Sequence, residues 1–188
     1  MVNSDKYFIH PSAIVESKNI GVNTRIWGFS HIMKDVIIGG NCNVGEHCFL
    51  ESGVLVGNNV VIKNGISIWN GVEIEDKAFL GPHMVFTNDL NPRSGYPKPL
   101  SKTKIRTGAT IGAGAVILSD IEIGEFSMVG AGAVVAKSVK PHTLVYGNPA
   151  TIQGWVCKCG LKLKEGSSKL CTCARKYYIS EKGFLVEQ

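Results

Sequence analysis

No stretch of the 188 residues is apolar for long enough to cross a membrane, and the opening MVNSDKYFIHPSAIV lacks the h-region of a signal peptide, so the chain is expected in the cytoplasm. Helical periodicity is missing as well. Neither the three-to-four spacing of a buried helix face nor the strict alternation of half-buried strands fits the apolar pattern. The formal charge of +5 does not spread into a basic stripe. Residues 155–188 hold seven Lys or Arg against three Glu, which leaves the body close to neutral. A nucleic-acid partner, which needs basic groups tracking a phosphate backbone, is therefore not expected. The five histidines include no pair separated by four residues.

What the sequence does have is a beat of six. Every sixth residue from Ile14 to Phe86 is large and apolar, among them Ile20, Ile26, Ile32, Ile38, Val44, Leu50, Val56, Ile62, Ile68, Ile74 and Leu80. The rule resumes at Ile105 and runs through Ile111, Ile117, Ile123 and Val129 to Val135. A smaller residue often stands four places on from the large one, as at Cys42, Cys48, Val54, Ala78, Ala109, Ala115 and Ala133. Two inward positions in six residues suit a triangular coil of eighteen, stacked at the strand-pairing distance of roughly 4.8 Å. Glycine often follows the large residue, as at Gly21, Gly39, Gly57 and Gly81, where a tight bend is expected. The fold class is all-β, a parallel β-helix of hexapeptide repeats held by nearest-neighbour contacts.

Residues 87–104 interrupt the beat, and a break of that length in a regular solenoid is expected to be a working loop. Pro92, Pro97 and Pro99 stiffen it. The division expected is a solenoid over 1–155, including the loop, and a Cys-rich segment over 156–188. Cys42 and Cys48 fall on inward small positions and are expected to be ordinary core. Cys157, Cys159, Cys171 and Cys173 form two close pairs around a short basic segment, a pattern that favours a structural zinc over disulfides in a reducing compartment. The C-x-C spacing departs from the usual C-x-x-C knuckle, and four reduced thiols on a loose tail are the competing reading.

The hexads resemble the hexapeptide-repeat acyltransferases, left-handed β-helices that are typically homotrimers and bind acetyl-CoA between neighbouring prisms. Left-handedness is implied by that resemblance and not by the period. The strings IHPSAIV, RIWGFSHI, GPHMVFTNDLNPRS, GATIGAGAVI, VGAGAVVAKSV and LVYGNPA, over residues 8–155, are similar to the nucleotide-sugar 3-N-acetyltransferases in particular. The resemblance implies acetylation of the 3-amino group of a UDP- or dTDP-linked amino sugar for surface polysaccharide, with no catalytic metal. A sugar O-acetyltransferase or 4-N-acetyltransferase, a gamma-type carbonic anhydrase and a non-catalytic scaffold are the alternatives.

Many relatives carry a His-Pro pair in the loop; here Asn91-Pro92 stands in its place. The resemblance implies that Asn88, in FTN, holds the substrate amine by its side-chain carbonyl, with His31 a second polar group at the cleft. Coil arithmetic stacks Asn70 beneath Asn88 and Trp69 beneath Thr87. Trp69, Asn70, Asn64 and Lys63 are thus expected at the sugar-nucleotide pocket, joined by Asn91 and by Arg93 as a fork for carboxylate or diphosphate. Acetyl-CoA is expected along Gly112, Ala113, Gly114 and their eighteen-residue repeats Gly130, Ala131 and Gly132, with Lys137 and Lys140 meeting its phosphates.

Overall fold

Two inward side chains in every six residues oblige the chain to turn a corner after each short strand. The computed structural model, which describes residues 2–4, 6–96, 99–164, 168–181 and 183–188, has that architecture; among the described residues there are strands and no helix. Pro97 lies outside the described residues. The first wall climbs in parallel from Tyr7–Ile9 through Arg25–Ile26, Asn43–Val44, Val61–Ile62, Phe79–Leu80, Thr110–Ile111 and Met128–Val129 to Thr143–Gly147. A second wall holds Ile14–Val15, His31–Ile32, Phe49–Leu50 and Ser67–Ile68, then, as a separate sheet, Val85–Phe86, Val116–Ile117 and Val134–Val135. The third wall runs over six strands from Asn19–Ile20 to Glu122–Ile123.

The large residue of each hexad and the smaller one four places on both point inward. Ile26, Ile32, Val44, Leu50, Ile62, Ile68 and Leu80 are fully buried, as are Val36, Val54, Ala109 and Ala133. Each large side chain contributes about 1.5–3 kcal/mol by leaving water. Cys42 and Cys48 belong to this core, and burial pushes both thiols above the ordinary range. Their sulfurs, like the hydroxyls of Thr24 and Ser30, donate to corner carbonyls of the next coil.

Two sequence expectations change. Val15, not Ile14, pairs with Ile32, so Ile14 faces outward at 60% exposure and the first coil is one residue short. The glycines that follow the large residues do not supply the bends. Left-handed backbone occurs at the corners instead, at residues such as Asn23, Asn41, Asn59, Phe29 and His47. Gly21, Gly39, Gly57 and Gly81 are needed because a Cβ there would come within 3.0 Å of the adjacent coil.

The interruption is absorbed without loss of phase. Leu80 pairs with Ile111 and Ile74 with Ile105, 31 residues on, so 13 residues beyond a normal coil of 18 are extruded. Thr103 and Lys104 already belong to strand Thr103–Ile105, so the excursion ends at residue 102 and not at 104. Antiparallel pairing closes both ends of the solenoid, Val2–Ser4 on Tyr7–Ile9 below and Ala150–Trp155 on Thr143–Gly147 above. Beyond it, Ser168–Leu170, Lys176–Ile179 and Leu185–Glu187 form a small antiparallel sheet.

Candidate active site

The loop is anchored at both feet by the turn of the coil above it. The Thr87 amide donates to the Ile117 carbonyl, and the Ser119 amide donates to Thr87 Oγ1 at 3.0 Å. At the other foot Asp120 accepts from the Lys102 amide at 2.9 Å and from the Ser101 hydroxyl at 3.3 Å. Between the feet, Asp89 Oδ1 accepts from the Asn91 amide at 2.7 Å, an Asx turn that sets the direction of the strip after Asn88. The side chains of Asn88, Asn91 and Arg93 are exposed and have no partner among the described residues. They are free to meet a ligand.

The second wall carries a column of aromatic and acidic side chains leading to that loop. His31 Nε2 lies 2.7 Å from Glu16 Oε1, and its ring meets Phe49 edge-on at 5.6 Å. Phe49 in turn faces Trp69 at 5.9 Å. Trp69 Nε1 donates to the Phe86 carbonyl at 2.8 Å, at the point where the wall splits into two sheets. The Asn70 amide donates to Glu51 Oε2 at 2.8 Å. Trp69 is therefore a half-buried post under the root of the loop.

The expected pocket is not assembled within one chain. His31 and Asn88 are separated by three coil steps of the second wall, roughly 14 Å along the axis at the strand-pairing distance. Lys63 and Asn64 lie at the corner before strand Ser67–Ile68, whereas Trp69 and Asn70 follow it. Lys63 Nζ sits 5.9 Å over the Phe79 ring on the first wall, and Asn64 Oδ1 accepts from the Glu46 amide at 3.3 Å. Glu16 and Glu51 escape sequence reasoning because their contacts run diagonally between coils and not at the eighteen-residue repeat. The shortened first coil further hides Glu16.

At the corner between the first and second walls, the left-handed position is filled by Phe29, His47, Gly65, His83, Gly114 and Gly132 on successive coils. His47 stacks on Phe29 at 5.0 Å in the lower part. At Gly114 and Gly132 the space where a side chain would stand is open, and Ala113 and Ala131 beside them are exposed. The upper corner is thus a bare shelf with approachable backbone. Gly112 and Gly130 are different: a Cβ on Gly112 would strike the Ala131 amide nitrogen and one on Gly130 the Tyr146 side chain. They serve coil packing. Lys137 and Lys140 line a cleft of about 440 Å³ with Val139, Val145, Thr151 and Ile152, the last two supplied by the closing hairpin that the sequence reading leaves out.

In the tail, the sulfurs of Cys157, Cys159, Cys171 and Cys173 converge within 4.8 Å of one another. Cys157 and Cys171 are buried in a small core with Leu163, Tyr177 and Leu185. His142 joins the tail to the solenoid, stacking on Phe126 at 5.4 Å and meeting Tyr177 at 5.6 Å. Burial holds its imidazole below the ordinary value.

A hexad solenoid with an anchored loop, a bare upper corner and a basic cleft defines a hexapeptide-type transferase scaffold. The family model described as bacterial transferase hexapeptide (six repeats) matches residues 102–137. The dTDP-3-amino-3,6-dideoxy-alpha-D-galactopyranose 3-N-acetyltransferase of Aneurinibacillus thermoaerophilus is 52% identical over 181 residues, 95% of this chain and 94% of the relative. The chain belongs to that family of hexapeptide-repeat acetyltransferases. Among solved structures, a point mutant of AntD, an N-acyltransferase from Bacillus cereus in complex with dTDP and Coenzyme A, matches with a TM-score of 0.59 at 20% identity, over 80% of this chain and 84% of that one. A maltose O-acetyltransferase from Clostridium difficile 630 matches with a TM-score of 0.56 at 26% identity, over 62% and 67%. The AntD likeness is one of fold alone. No helix among the described residues is long and apolar enough to cross a membrane.

Proposed function

We propose that the chain transfers the acetyl group of acetyl-CoA to the 3-amino group of a dTDP-linked amino sugar, for surface polysaccharide. The observation that carries this reading is the 52% identity across 95% of the chain with an enzyme of that name. The geometry is compatible with it. An unprotonated amine needs to be held, not strongly activated, and Asn88 offers, at the root of the anchored loop, a side-chain carbonyl with no partner among the described residues. The amine nitrogen attacks the thioester carbonyl and forms the C–N bond, the tetrahedral intermediate collapses with loss of the C–S bond, and the proton left on nitrogen passes to the departing CoA sulfur. A thiolate is a good enough leaving group for this route to need no strong acid.

Acetyl-CoA is assigned to the bare corner at Ala113, Gly114, Ala131 and Gly132, with its phosphates towards Lys137 and Lys140. Asn91 and Arg93 face the sugar nucleotide from the loop. For Asn88 and His31 to act on one substrate, two chains must contribute, which a homotrimer supplies. Residues 1–155 then form the catalytic solenoid and 156–188 an appended tail. We place the reaction in the cytoplasm, the location that suits a pair of activated substrates.

The O-acetyl reading is disfavoured because residues 87–102 contain no histidine to activate a hydroxyl. The test is CoA release with dTDP-3-amino sugars by the wild type and Asn88→Ala. Turnover lost in the variant, with acetyl-CoA binding intact, supports the assignment; unchanged turnover removes Asn88 from it.

A further inference from the structure

We propose that Cys157, Cys159, Cys171 and Cys173 hold one Zn²⁺ per chain as a tetrathiolate site that locks the tail against the last coils. The Cys157–Cys173 and Cys159–Cys171 sulfurs lie 3.5 Å apart, and all four fall within 4.8 Å. Zinc–sulfur bonds of roughly 2.3 Å in a tetrahedron set sulfur–sulfur edges of about 3.8 Å. A disulfide requires about 2.05 Å, far below any of these separations.

The backbone gives a second, independent indication. In the first turn the Gly160 amide donates to the Cys157 carbonyl and the Cys157 amide to the Leu161 carbonyl. In the second, the Ala174 amide donates to the Cys171 carbonyl and the Cys171 amide to the Arg175 carbonyl. Gly160 and Ala174 both take left-handed backbone, at φ of 88° and 69°. Two turns from separate parts of the tail thus repeat each other bond for bond and present their sulfurs to one point. That is the arrangement of paired metal knuckles, reached here with one residue fewer between the cysteines. Ala174 accepts there a left-handed conformation that costs an L-residue energy.

The donor set selects the metal class: four soft thiolates in a tetrahedron suit Zn²⁺. Binding replaces four thiol protons with one dication, leaving a net charge of −2 on the site. Groups able to offset it are present. Arg175 donates to Cys173 Sγ at 3.3 Å, and Tyr177 Oη lies 3.2 Å from Cys157 Sγ.

The tail core of Cys157, Leu163, Cys171, Tyr177 and Leu185 is too small to hold itself, and a metal cross-link supplies what it lacks. Through Tyr177 on His142, and Lys140 Nζ 5.2 Å over the Phe184 ring, the locked tail also flanks the Lys137–Lys140 cleft. The inference does not depend on what that cleft binds.

The test uses the full chain, purified without chelator. Elemental analysis is expected to find one zinc per chain, and exchange with Co²⁺ to give thiolate-to-cobalt charge-transfer absorption. The Cys159→Ser, Cys173→Ser double variant is expected to lose the metal and gain protease cleavage after Trp155, while the solenoid still melts cooperatively. Less than a tenth of a zinc per chain, with all four thiols reacting freely with Ellman's reagent in the folded protein, overturns the proposal. So does stoichiometric iron, or a mass lowered by the hydrogens lost to disulfides.

Discussion

The Trp69 indole nitrogen donates to the Phe86 carbonyl oxygen at 2.8 Å, in the place where a rung of the sheet would run. The rungs on either side are regular: the Glu51 amide donates to Ile68 and the Thr87 amide to Ile117. Here the second wall is split, and the loop leaves immediately afterwards. Trp69→Phe keeps a ring but removes the donor, leaving the Phe86 carbonyl unpaired at a cost of about 1–3 kcal/mol. A fall in Tm of at least about 2 °C is expected, together with a higher KM for the amino sugar and an unchanged KM for acetyl-CoA. An unchanged Tm would remove Trp69 as the support of the loop.

The glycines of the two GAG segments separate into packing and access. Gly112→Ala forces a Cβ onto the Ala131 backbone, an overlap expected to cost about 1–3 kcal/mol or more. Gly114→Ala enters open space and meets only the left-handed backbone penalty, roughly 1–2 kcal/mol. Thermal melts should rank Gly112→Ala as the less stable, while steady-state kinetics should give Gly114→Ala the larger rise in KM for acetyl-CoA. The reverse ranking would mean that the bare corner is not the CoA track.

On the proposed assignment, Lys137 and Lys140 meet the CoA phosphates as charges. Lys137→Gln is expected to raise KM for acetyl-CoA several-fold and to flatten its dependence on ionic strength, because screening no longer weakens a missing contact. Kinetics at low and high salt check this, and an unaltered salt slope contradicts it.

Glu75 ties coils on either side of the insertion. Burial alone would raise its carboxyl, but hydrogen bonds from Arg106, at 2.6 Å, and from Thr107 hold it below the usual range. A carboxylate depressed in the folded state stabilises above its unfolded value of about 4.3, and that contribution is lost as pH falls through the folded value. Glu75→Gln should therefore lower Tm at neutral pH, with the gap to wild type closing under acid. A gap independent of pH would show that the ion pair is not its source.

The six-residue period is legible in the sequence because a fully enclosed coil leaves no room for a polar side chain at its largest inward position, as Ile62 and Leu80 illustrate. Ile14 misleads: it is apolar, yet a one-residue contraction of the first coil turns it outward, and a fixed period cannot see a contraction. The loop and the cysteine pairs are legible as departures from the pattern. The Glu16–His31 contact, the indole rung of Trp69 and the stacking demand on Gly112 are not, since each depends on which atoms of the next coil lie above or below. The acceptor pocket resists for a further reason: its expected members stand on different corners and levels of one chain.

The central claim is tested most directly by incubating the protein with acetyl-CoA and a dTDP-linked 3-amino-3,6-dideoxy hexose, following CoA release and locating the acetyl group by NMR. The account predicts stoichiometric CoA release and a 3-acetamido product. Acetylation at a hydroxyl, or no transfer to this sugar or to a 3-amino UDP-sugar while acetyl-CoA binds, would contradict it.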